Sequence, residues 1–240
     1  MGDIYEDNQI IFQGSLIQIG ENTLNQKMQV AIFQFSLFGI NTYLVWDPDT
    51  KQCAVIDPGM SSPEEEKALE DFIAEKGLTL TNIINTHLHI DHVAGIPFLR
   101  EKFGAPVLAH SGDQFLGQKI GQQAQMFGLN MNIGEIEISE FIQDGDIIKI
   151  GNGELKVISV PGHSKGSVAL YDPEAHFLIS GDALFQGSIG RTDLPGGDYR
   201  ELISSIESKL LTLPDDTVVL PGHGPASTIG EEKRSNPFLN

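Results

Sequence analysis

Histidine and aspartate cluster in one short stretch of this chain, directly after a strand-like apolar run. The stretch reads T-H-L-H-I-D-H at 86–92. Successive side chains of an extended segment alternate in direction, so His87 and His89 point the same way and can bind one metal ion. Asp91 and His92 then reach a neighbouring position. The spacing therefore predicts a metal-binding loop at the edge of a sheet.

Three later motifs each place a histidine or an aspartate just past an apolar run. They read V-P-G-H-S-K, S-G-D-A and P-G-H-G, and they contribute His163, Asp182 and His223. Strand ends hold side chains rigidly, so several such ends can deliver ligands into one crevice. Imidazole and carboxylate groups suit Zn, Fe or Mn, and the set exceeds the four ligands that one tetrahedral ion uses. Two divalent ions that share a carboxylate would account for it.

Charge and composition limit the partners and the compartment. Asp and Glu number 33 against 15 Lys and Arg, for a net charge of -18, and such a surface repels phosphate backbones and anionic lipids. No apolar run reaches the roughly 18 residues that a membrane span needs, so neither nucleic acid nor a membrane is expected as a partner. The single cysteine, Cys53, excludes an internal disulfide and cysteine-based zinc clusters. The N-terminus lacks an apolar signal core, which predicts a cytoplasmic protein.

The elements that must position these motifs are short strands and helices in both halves of the chain. The predicted strands span 10–19, 28–35, 42–46, 53–56, 82–85, 105–109, 147–150, 155–160, 167–171, 177–180 and 217–220. The predicted helices lie between Ser62 and Gly77 and over 92–103, 113–127 and 199–210, and 128–145 is predicted to be a loop. We see no linker, so we expect a single domain over 1–240 with two sheets face to face and helices outside.

These motifs resemble those of the metallo-β-lactamase superfamily, whose fold is a four-layer αββα sandwich of the mixed α/β (α+β) class. The ligands that the resemblance implies are His87, His89 and His163 for the first ion, Asp91, His92 and His223 for the second, and Asp182 as the bridge. Asp91 and Asp182 are also the implied catalytic residues. The implied cofactor is a pair of divalent ions, with zinc expected ahead of iron or manganese.

The resemblance is closer within one branch, glyoxalase II, and within it to the short bacterial glyoxalase II-like hydrolases. It is carried by S-G-D-A-L-F-Q-G-S-I-G-R-T-D-L-P-G-G-D at 180–198 and by P-G-H-G-P-A-S-T-I-G-E-E at 221–232. Glyoxalase II hydrolyses the thioester S-lactoylglutathione. The implied substrate is therefore a small-molecule thioester, attacked by a hydroxide between the ions. A thiolate leaves without a strong general acid, because its parent thiol has a pKa of about 8.5.

Some features depart from full-length glyoxalase II. By comparison with that family, residues 1–30 are expected to be an addition, and no counterpart of the C-terminal helical domain that supplies much of the glutathione contact is expected in this sequence. The family's basic residue falls at Arg191, which is the predicted substrate-binding residue. An ion pair of Arg191 with Asp193 or Asp198 is the alternative. The family's tyrosines fall at Asp193 and Pro225.

Asp57, in V-I-D-P-G, ends another apolar run. In the superfamily this position orients a metal-binding histidine, because such a histidine usually donates its other ring nitrogen to a partner. The alternative is an ordinary turn residue before Pro58.

Other functions of the same superfamily stay open as alternatives. A persulfide dioxygenase would use one iron on His87, His163 and Asp182, and such enzymes also carry G-R-T-D after the aspartate motif. The G-H-G-P-A-S-T ending resembles the hydrolases instead and places this function second. The missing signal peptide and the G-R-T-D segment disfavour a β-lactamase, the acidic charge disfavours RNA cleavage, and the complete ligand set disfavours a non-catalytic binding module. The acyl and thiol groups and the oligomeric state are not readable.

Overall fold

The fold is built from two β-sheets that face each other and from helices on both outer sides. It is described by a computed structural model, which covers residues 9–12, 15–18, 28–131 and 133–239. Among these residues, no helix combines the length and the apolar character that crossing a bilayer requires.

The first sheet comes mainly from the N-terminal half of the chain. Within the described residues its strands are β1 (Gln9–Phe12), β2 (Ser15–Gln18), β3 (Gln29–Gln34), β4 (Asn41–Trp46), β5 (Gln52–Ile56), β6 (Thr79–Ile84), β7 (Val107–His110) and β8 (Glu140–Ile142). They lie in the order β2-β1-β3-β4-β5-β6-β7-β8. Pairing is antiparallel from β3 to β5 and parallel from β5 to β8, so the later strands all point toward the same edge.

The second sheet comes from the C-terminal half. In the described part of the chain it consists of β9 (Ile147–Ile150), β10 (Gly153–Ser159), β11 (Val168–Asp172), β12 (Phe177–Gly181) and, after the hairpin β13 (Leu184–Phe185) and β14 (Ser188–Ile189), β15 (Val218–Pro221) and β16 (Ser227–Thr228). The order is β16-β15-β12-β11-β10-β9. β12 and β15 are parallel, and the other neighbours are antiparallel.

Helices cover the outer face of each sheet. Against the first sheet lie α1 (Pro63–Lys76), α2 (Ile90–Val93), α3 (Ile96–Phe103), a 3-10 turn (Ser111–Asp113), α4 (Gln114–Gly117) and α5 (Ile120–Met126). Against the second lie α6 (Tyr199–Ser205), which continues as a π-helical turn (Ile206–Leu210), and α7 (Ile229–Ser235). The helix predicted between Ser62 and Gly77 is confirmed as α1.

Apolar side chains of the described residues form three cores that separate the layers. Side chains alternate along a strand, and β4 shows the result. Leu44 packs among the helices of the first sheet, whereas Tyr43 and Val45 face the second sheet. On the far side of the second sheet, Leu178 packs with Leu202 of α6. The predicted sandwich of two sheets with helices outside is confirmed.

The predicted helix over 92–103 is wrong in detail, because it is divided into α2 and α3. The break falls at Gly95, whose N–H donates to the carbonyl of Pro58 at 2.8 Å. That contact holds the chain against the loop after β5. A new helix then begins at Ile96, and Pro97 lies in its first turn, where its missing N–H is not needed.

The region 113–145 also differs from its prediction. The helix predicted over 113–127 forms as two short helices, and the loop predicted over 128–145 contains β8, which pairs with β7. β8 is a short and largely exposed edge strand, so it lacks the apolar pattern that marks a strand in a sequence. The sequence also did not predict the hairpin β13–β14, β16 or α7.

The predicted N-terminal addition over 1–30 is described only in part. The single strand predicted over 10–19 is wrong in detail, because two antiparallel strands, β1 and β2, are found there, and β1 pairs in parallel with β3. Residues 1–8, 13–14 and 19–27 lie outside the described residues. The single domain over 1–240 stays a prediction.

Candidate metal centre

The chemical motifs lie where strands of both sheets end at one edge. β12 and β15 are parallel neighbours, so Asp182 and His223, which follow them, leave the sheet at the same edge. β10 and β12 also run parallel, because both are antiparallel to β11 between them, and His163 follows β10. The loop after β6 brings the 86–92 motif from the facing sheet.

His87, His89 and His163 form what we name the three-histidine group. All are buried. His89 Nδ1 lies 2.9 Å from His163 Nε2, which lies 3.2 Å from His87 Nε2. A neutral imidazole carries a single N–H and a single acceptor nitrogen. Rings that converge in this way therefore direct lone pairs to a shared point, as metal ligands do.

For two of the rings, a hydrogen bond at the nitrogen that faces away from the other histidines supports the interpretation as metal ligands. His163 Nδ1 lies 2.8 Å from the Arg191 carbonyl oxygen, which can only accept, so Nδ1 carries the proton. His87 Nδ1 lies 3.2 Å from Thr86 Oγ1, which donates to Asp57 Oδ2 at 2.6 Å, so His87 Nδ1 is the donor there. Both Nε2 atoms then present lone pairs to the centre.

Asp91, His92 and His223 form a second set, which we name the Asp91 group. His223 Nε2 lies 3.1 Å from Asp91 Oδ2, and His92 Nε2 lies 3.9 Å from the same oxygen. One ligand atom from each residue falls within 4.8 Å of the others. This group mixes imidazole and carboxylate donors, unlike the three-histidine group.

Asp182 lies between the two groups. Its Oδ2 is 3.7 Å from His163 Nε2 on one side and 3.7 Å from His223 Nε2 on the other. Its Oδ1 is 3.4 Å from His92 Nε2. The structure thus brings all seven predicted ligands into one cluster.

The cluster fits divalent metal ions by two tests. Within the described residues, His92 Nε2 and Asp182 Oδ1 are buried without a hydrogen-bond partner, which is costly unless a ligand such as a metal ion is bound. A Cβ added to Gly222 would collide with Asp182 Oδ1 and lie 2.8 Å from His92 Cε1, so the glycine keeps this space open. Imidazole and carboxylate donors around such a space suit zinc, iron or manganese.

Protonation differs between the two groups. Burial, followed by the neighbouring histidines, lowers the pKa of His87 well below its usual range and that of His89 to about 3. Burial also opposes a charge on His92, but the carboxylates, first Asp182 and then Asp57, outweigh it and raise the pKa of His92. Without an ion, the three-histidine group therefore holds neutral rings at His87 and His89, whereas the Asp91 group holds a proton.

Asp57 contacts residues that serve both groups. Its Oδ1 accepts from Thr86 N at 2.8 Å, and its Oδ2 lies 3.1 Å from His92 Nδ1. It also occupies a tight turn, with a positive φ of 51°. Both alternatives for Asp57 thus describe its position, and its role in orienting a metal ligand is a proposal that these contacts support.

Sequence reasoning missed several buried polar residues that hold the ligand loops. Asn85 Nδ2 donates to the His92 carbonyl at 2.7 Å. Asn41 Nδ2 donates to the carbonyls of Pro221 and Gly224, on either side of His223, at 3.0 and 2.9 Å. The available signal was a polar residue within or at the end of an apolar strand. Asp113 and Gln123, in the poorly predicted region 113–145, were missed as well.

The Arg191 side chain is paired within its own loop. Its Nε and Nη2 each donate to a different carboxylate oxygen of Asp193 at 2.7 Å, and both side chains are exposed. The hydrogen bonds from Arg191 lower the pKa of Asp193 to about 2. The ion pair considered as the alternative therefore exists, and substrate binding by Arg191 stays a prediction.

Comparison with known proteins places this architecture in context. The sequence profile described as "Metallo-beta-lactamase superfamily" matches residues 36–223. The chain is also similar to "Hydroxyacylglutathione hydrolase GloC" of Haemophilus influenzae. The two are 42% identical over 214 residues, which cover 89% of this chain and 99% of that protein.

Solved structures agree with the fold over most of the chain. The crystal structure titled "BLEG-1 B3 metallo-beta-lactamase" has a TM-score of 0.78 and 34% identity, covering 89% of this chain and 99% of that one. The structure titled "TTHA1623 in a di-iron-bound form" has a TM-score of 0.74 and 38% identity, covering 85% of this chain and 97% of that one.

Proposed function

Because the chain belongs to the metallo-β-lactamase superfamily, we propose that it is a two-metal hydrolase of thioesters with an activity like that of glyoxalase II. The proposed substrate is S-lactoylglutathione or a related acyl-thiol. The proposed ligands are the three-histidine group for one ion, the Asp91 group for the other and Asp182 for both. Superfamily members bind divalent metals, and we propose zinc, with iron or manganese as alternatives.

The position of Asp182 carries this proposal. Its carboxylate lies 3.7 Å from a histidine nitrogen of each group. A carboxylate between two sets of donors could be shared by two ions, an arrangement that a centre for a single ion would not need. The similarity to a protein named hydroxyacylglutathione hydrolase, at 42% identity, supports the substrate class.

Thioester hydrolysis at such a centre needs few groups from the chain besides the metal ligands. Divalent ions lower the pKa of bound water toward neutrality and polarise a carbonyl oxygen. The chain's own residues hold the donors in place and leave one side accessible, since the His223 side chain is 26% exposed whereas that of His163 is 2% exposed. Hydrolysis forms a C–O bond from water and breaks the C–S bond. The thiolate, with a parent pKa of about 8.5, needs no strong acid.

Thiol release from S-lactoylglutathione by the zinc-replete protein tests this function. We expect turnover that a chelator abolishes, that zinc restores and that Asp182→Asn removes. Asp172→Asn is the matched control. Asp172 is also buried, but it ends β11 and pairs with Phe177 at the start of β12, whereas Asp182 follows the end of β12. Thiol release that is insensitive to chelation, or hydrolysis of a chromogenic β-lactam without thiol release, would contradict the proposal.

One alternative has an observation behind it. His163 Nε2 lies 3.2 Å from His87 Nε2 and 3.7 Å from Asp182 Oδ2, so two histidines and one carboxylate converge as a mononuclear iron dioxygenase would need. The alternative predicts one iron per chain and oxygen uptake with a persulfide. Two ions per chain and no oxygen uptake would exclude it.

A further inference from the structure

The three-histidine group is held by polar side chains from outside the ligand motifs, on the segment 111–126. We propose, resting on the two-ion centre of the proposed function, that Gln123 and Asp113 are positioning residues that set the three-histidine group for its ion. They act through the main chain beside the ligands. The Asp91 group has additional anchors of its own.

The Gln123 side-chain amide hydrogen-bonds to the main chain on both sides of His89. Its Oε1 accepts from Ile90 N at 3.0 Å, and its Nε2 donates to the Leu88 carbonyl at 3.1 Å. The second N–H of Nε2 donates to the Leu116 carbonyl at 3.1 Å. Gln123 is buried, so these bonds do not compete with water. A planar amide that binds the peptide groups before and after His89 restricts the direction of the imidazole.

Asp113 joins the same loop to the loop of His163. It is fully buried, and its Oδ2 accepts from Leu88 N at 3.1 Å and from Ser164 Oγ at 2.7 Å. Its Oδ1 accepts from Gly166 N at 2.7 Å. Leu88 lies between two ligands and Ser164 follows the third. One carboxylate therefore ties the two loops of the three-histidine group together.

The loop of His163 meets the 3-10 turn that carries Asp113 with no room for side chains. A Cβ on Gly166 would lie 2.6 Å from Asp113 N and 2.8 Å from Asp113 Cγ. A Cβ on Gly112 would lie 2.8 Å from the Lys165 carbonyl oxygen. The glycines are thus needed for close approach, and this packing belongs to the same device as the hydrogen bonds.

Gln123 contacts the chain next to Asp91 at Ile90 N, but the Asp91 group also has anchors of its own. The His92 carbonyl is bound by Asn85, and the loop of His223 is bound by Asn41 and by the Tyr43 hydroxyl, which donates to the Pro221 carbonyl at 2.5 Å. These residues lie on or directly after strands of the first sheet. Loss of Gln123 should consequently affect one group far more than the other.

Zinc affinity in two single-group backgrounds tests the proposal. His223→Ala leaves the three-histidine group intact, and His89→Ala leaves the Asp91 group intact. We expect Gln123→Met, which keeps the volume and removes the hydrogen bonds, to weaken zinc binding about 10- to 100-fold in the His223→Ala background. We expect less than about a 3-fold change in the His89→Ala background. A competing chromophoric chelator reports both values.

Two further variants keep the test decisive if Gln123→Met does not fold. Gln123→Glu retains the acceptor for Ile90 N but turns an oxygen toward the Leu88 and Leu116 carbonyls, and Asp113→Asn places an N–H₂ group among donors. Each should give the same asymmetry. Asp172→Asn is the control for a general loss of stability, because Asp172 is buried and its Oδ1 accepts two main-chain N–H groups in a distant turn. It should lower the melting temperature and leave zinc affinity unchanged.

The outcomes separate this proposal from the proposed function. Equal losses in both backgrounds, no loss in either, or a loss no larger than that of Asp172→Asn would overturn the positioning role. Failure of the wild-type protein to bind zinc, iron or manganese would overturn the centre itself. The expected asymmetry without thiol release would leave the positioning role standing and remove the thioester substrate.

Discussion

The three-histidine group and the Asp91 group differ in how far they are closed to water. The His163 side chain is 2% exposed, whereas that of His223 is 26% exposed and that of Asp91 is 12% exposed. The closed group holds neutral rings at His87 and His89, and the more open group carries a proton without an ion. The difference suggests a division of roles. In the proposed function, one side would anchor an ion rigidly, and the other would leave a face where water and a substrate can enter.

Asp182→Asn should have the largest effect, because the Asp182 carboxylate lies between the two groups. An amide carries no charge and turns an N–H₂ group toward one side, so we expect loss of one ion and a fall in kcat on the order of 10³-fold. Metal content and thiol release measure the two effects. Near-normal activity with two bound ions would end the idea of a shared carboxylate.

Gly222→Ala should damage the Asp91 group selectively. The added methyl group would collide with Asp182 Oδ1 and crowd His92 Cε1. We expect about one ion per chain in place of two, with the three-histidine group still occupied. Gly121→Ala is the control, because a Cβ at that glycine of α5 meets open space. Two ions in Gly222→Ala would show that the space is not part of the centre.

Asp57→Asn should weaken both groups and so contrast with Gln123→Met. The Asp57 carboxylate accepts a hydrogen bond from Thr86 Oγ1, which in turn accepts one from His87 Nδ1. The carboxylate also lies 3.1 Å from His92 Nδ1. We expect a 10- to 100-fold loss of zinc affinity, which is typical for partners of metal ligands. Zinc affinity is measured in the same two backgrounds as for Gln123, His223→Ala and His89→Ala. A loss confined to one background would show that Asp57 serves a single group.

The two groups should also respond differently to pH. A ligand must lose its proton to bind zinc, and the pKa of His92 is raised whereas that of His89 is lowered to about 3. Lowering the pH from 7.5 to 5.5 should therefore weaken zinc binding by the Asp91 group by up to about tenfold per pH unit. The three-histidine group should change less. Proton release on zinc binding, followed with an indicator dye, should be larger in the His89→Ala background than in the His223→Ala background.

Arg191→Ala should have the smallest effect and act outside both groups. Its carbonyl binds His163 and survives the substitution, while the exposed side chain is lost. We expect unchanged zinc affinity and a few-fold rise in KM for an anionic thioester, with a smaller rise for a neutral one. Equal changes in KM for the two thioesters would remove Arg191 from substrate binding.

Much of the fold could be predicted because its signals are local. Apolar strands such as β4 and β5, and the helix that begins after Ser62 and ends at Gly77, follow from patterns within a few residues. β8 and the break at Gly95 could not be predicted in this way. β8 depends on pairing with β7, and the break depends on a hydrogen bond to Pro58.

The sequence alone determined which side chains could bind metal. Each candidate histidine or aspartate lies in a short motif at the end of one strand, and such a motif can be recognised within a few residues. Only the tertiary structure decided which of them meet, with Asp182 reaching both groups across loops far apart in the chain. It also decided what holds them. Gln123 and Asp113 have no motif, since their importance lies in hydrogen bonds to main-chain atoms at 88, 90 and 166. Every residue except proline can supply a main-chain N–H, and every residue can supply a carbonyl, so such contacts cannot be recognised in the sequence before the chain has folded.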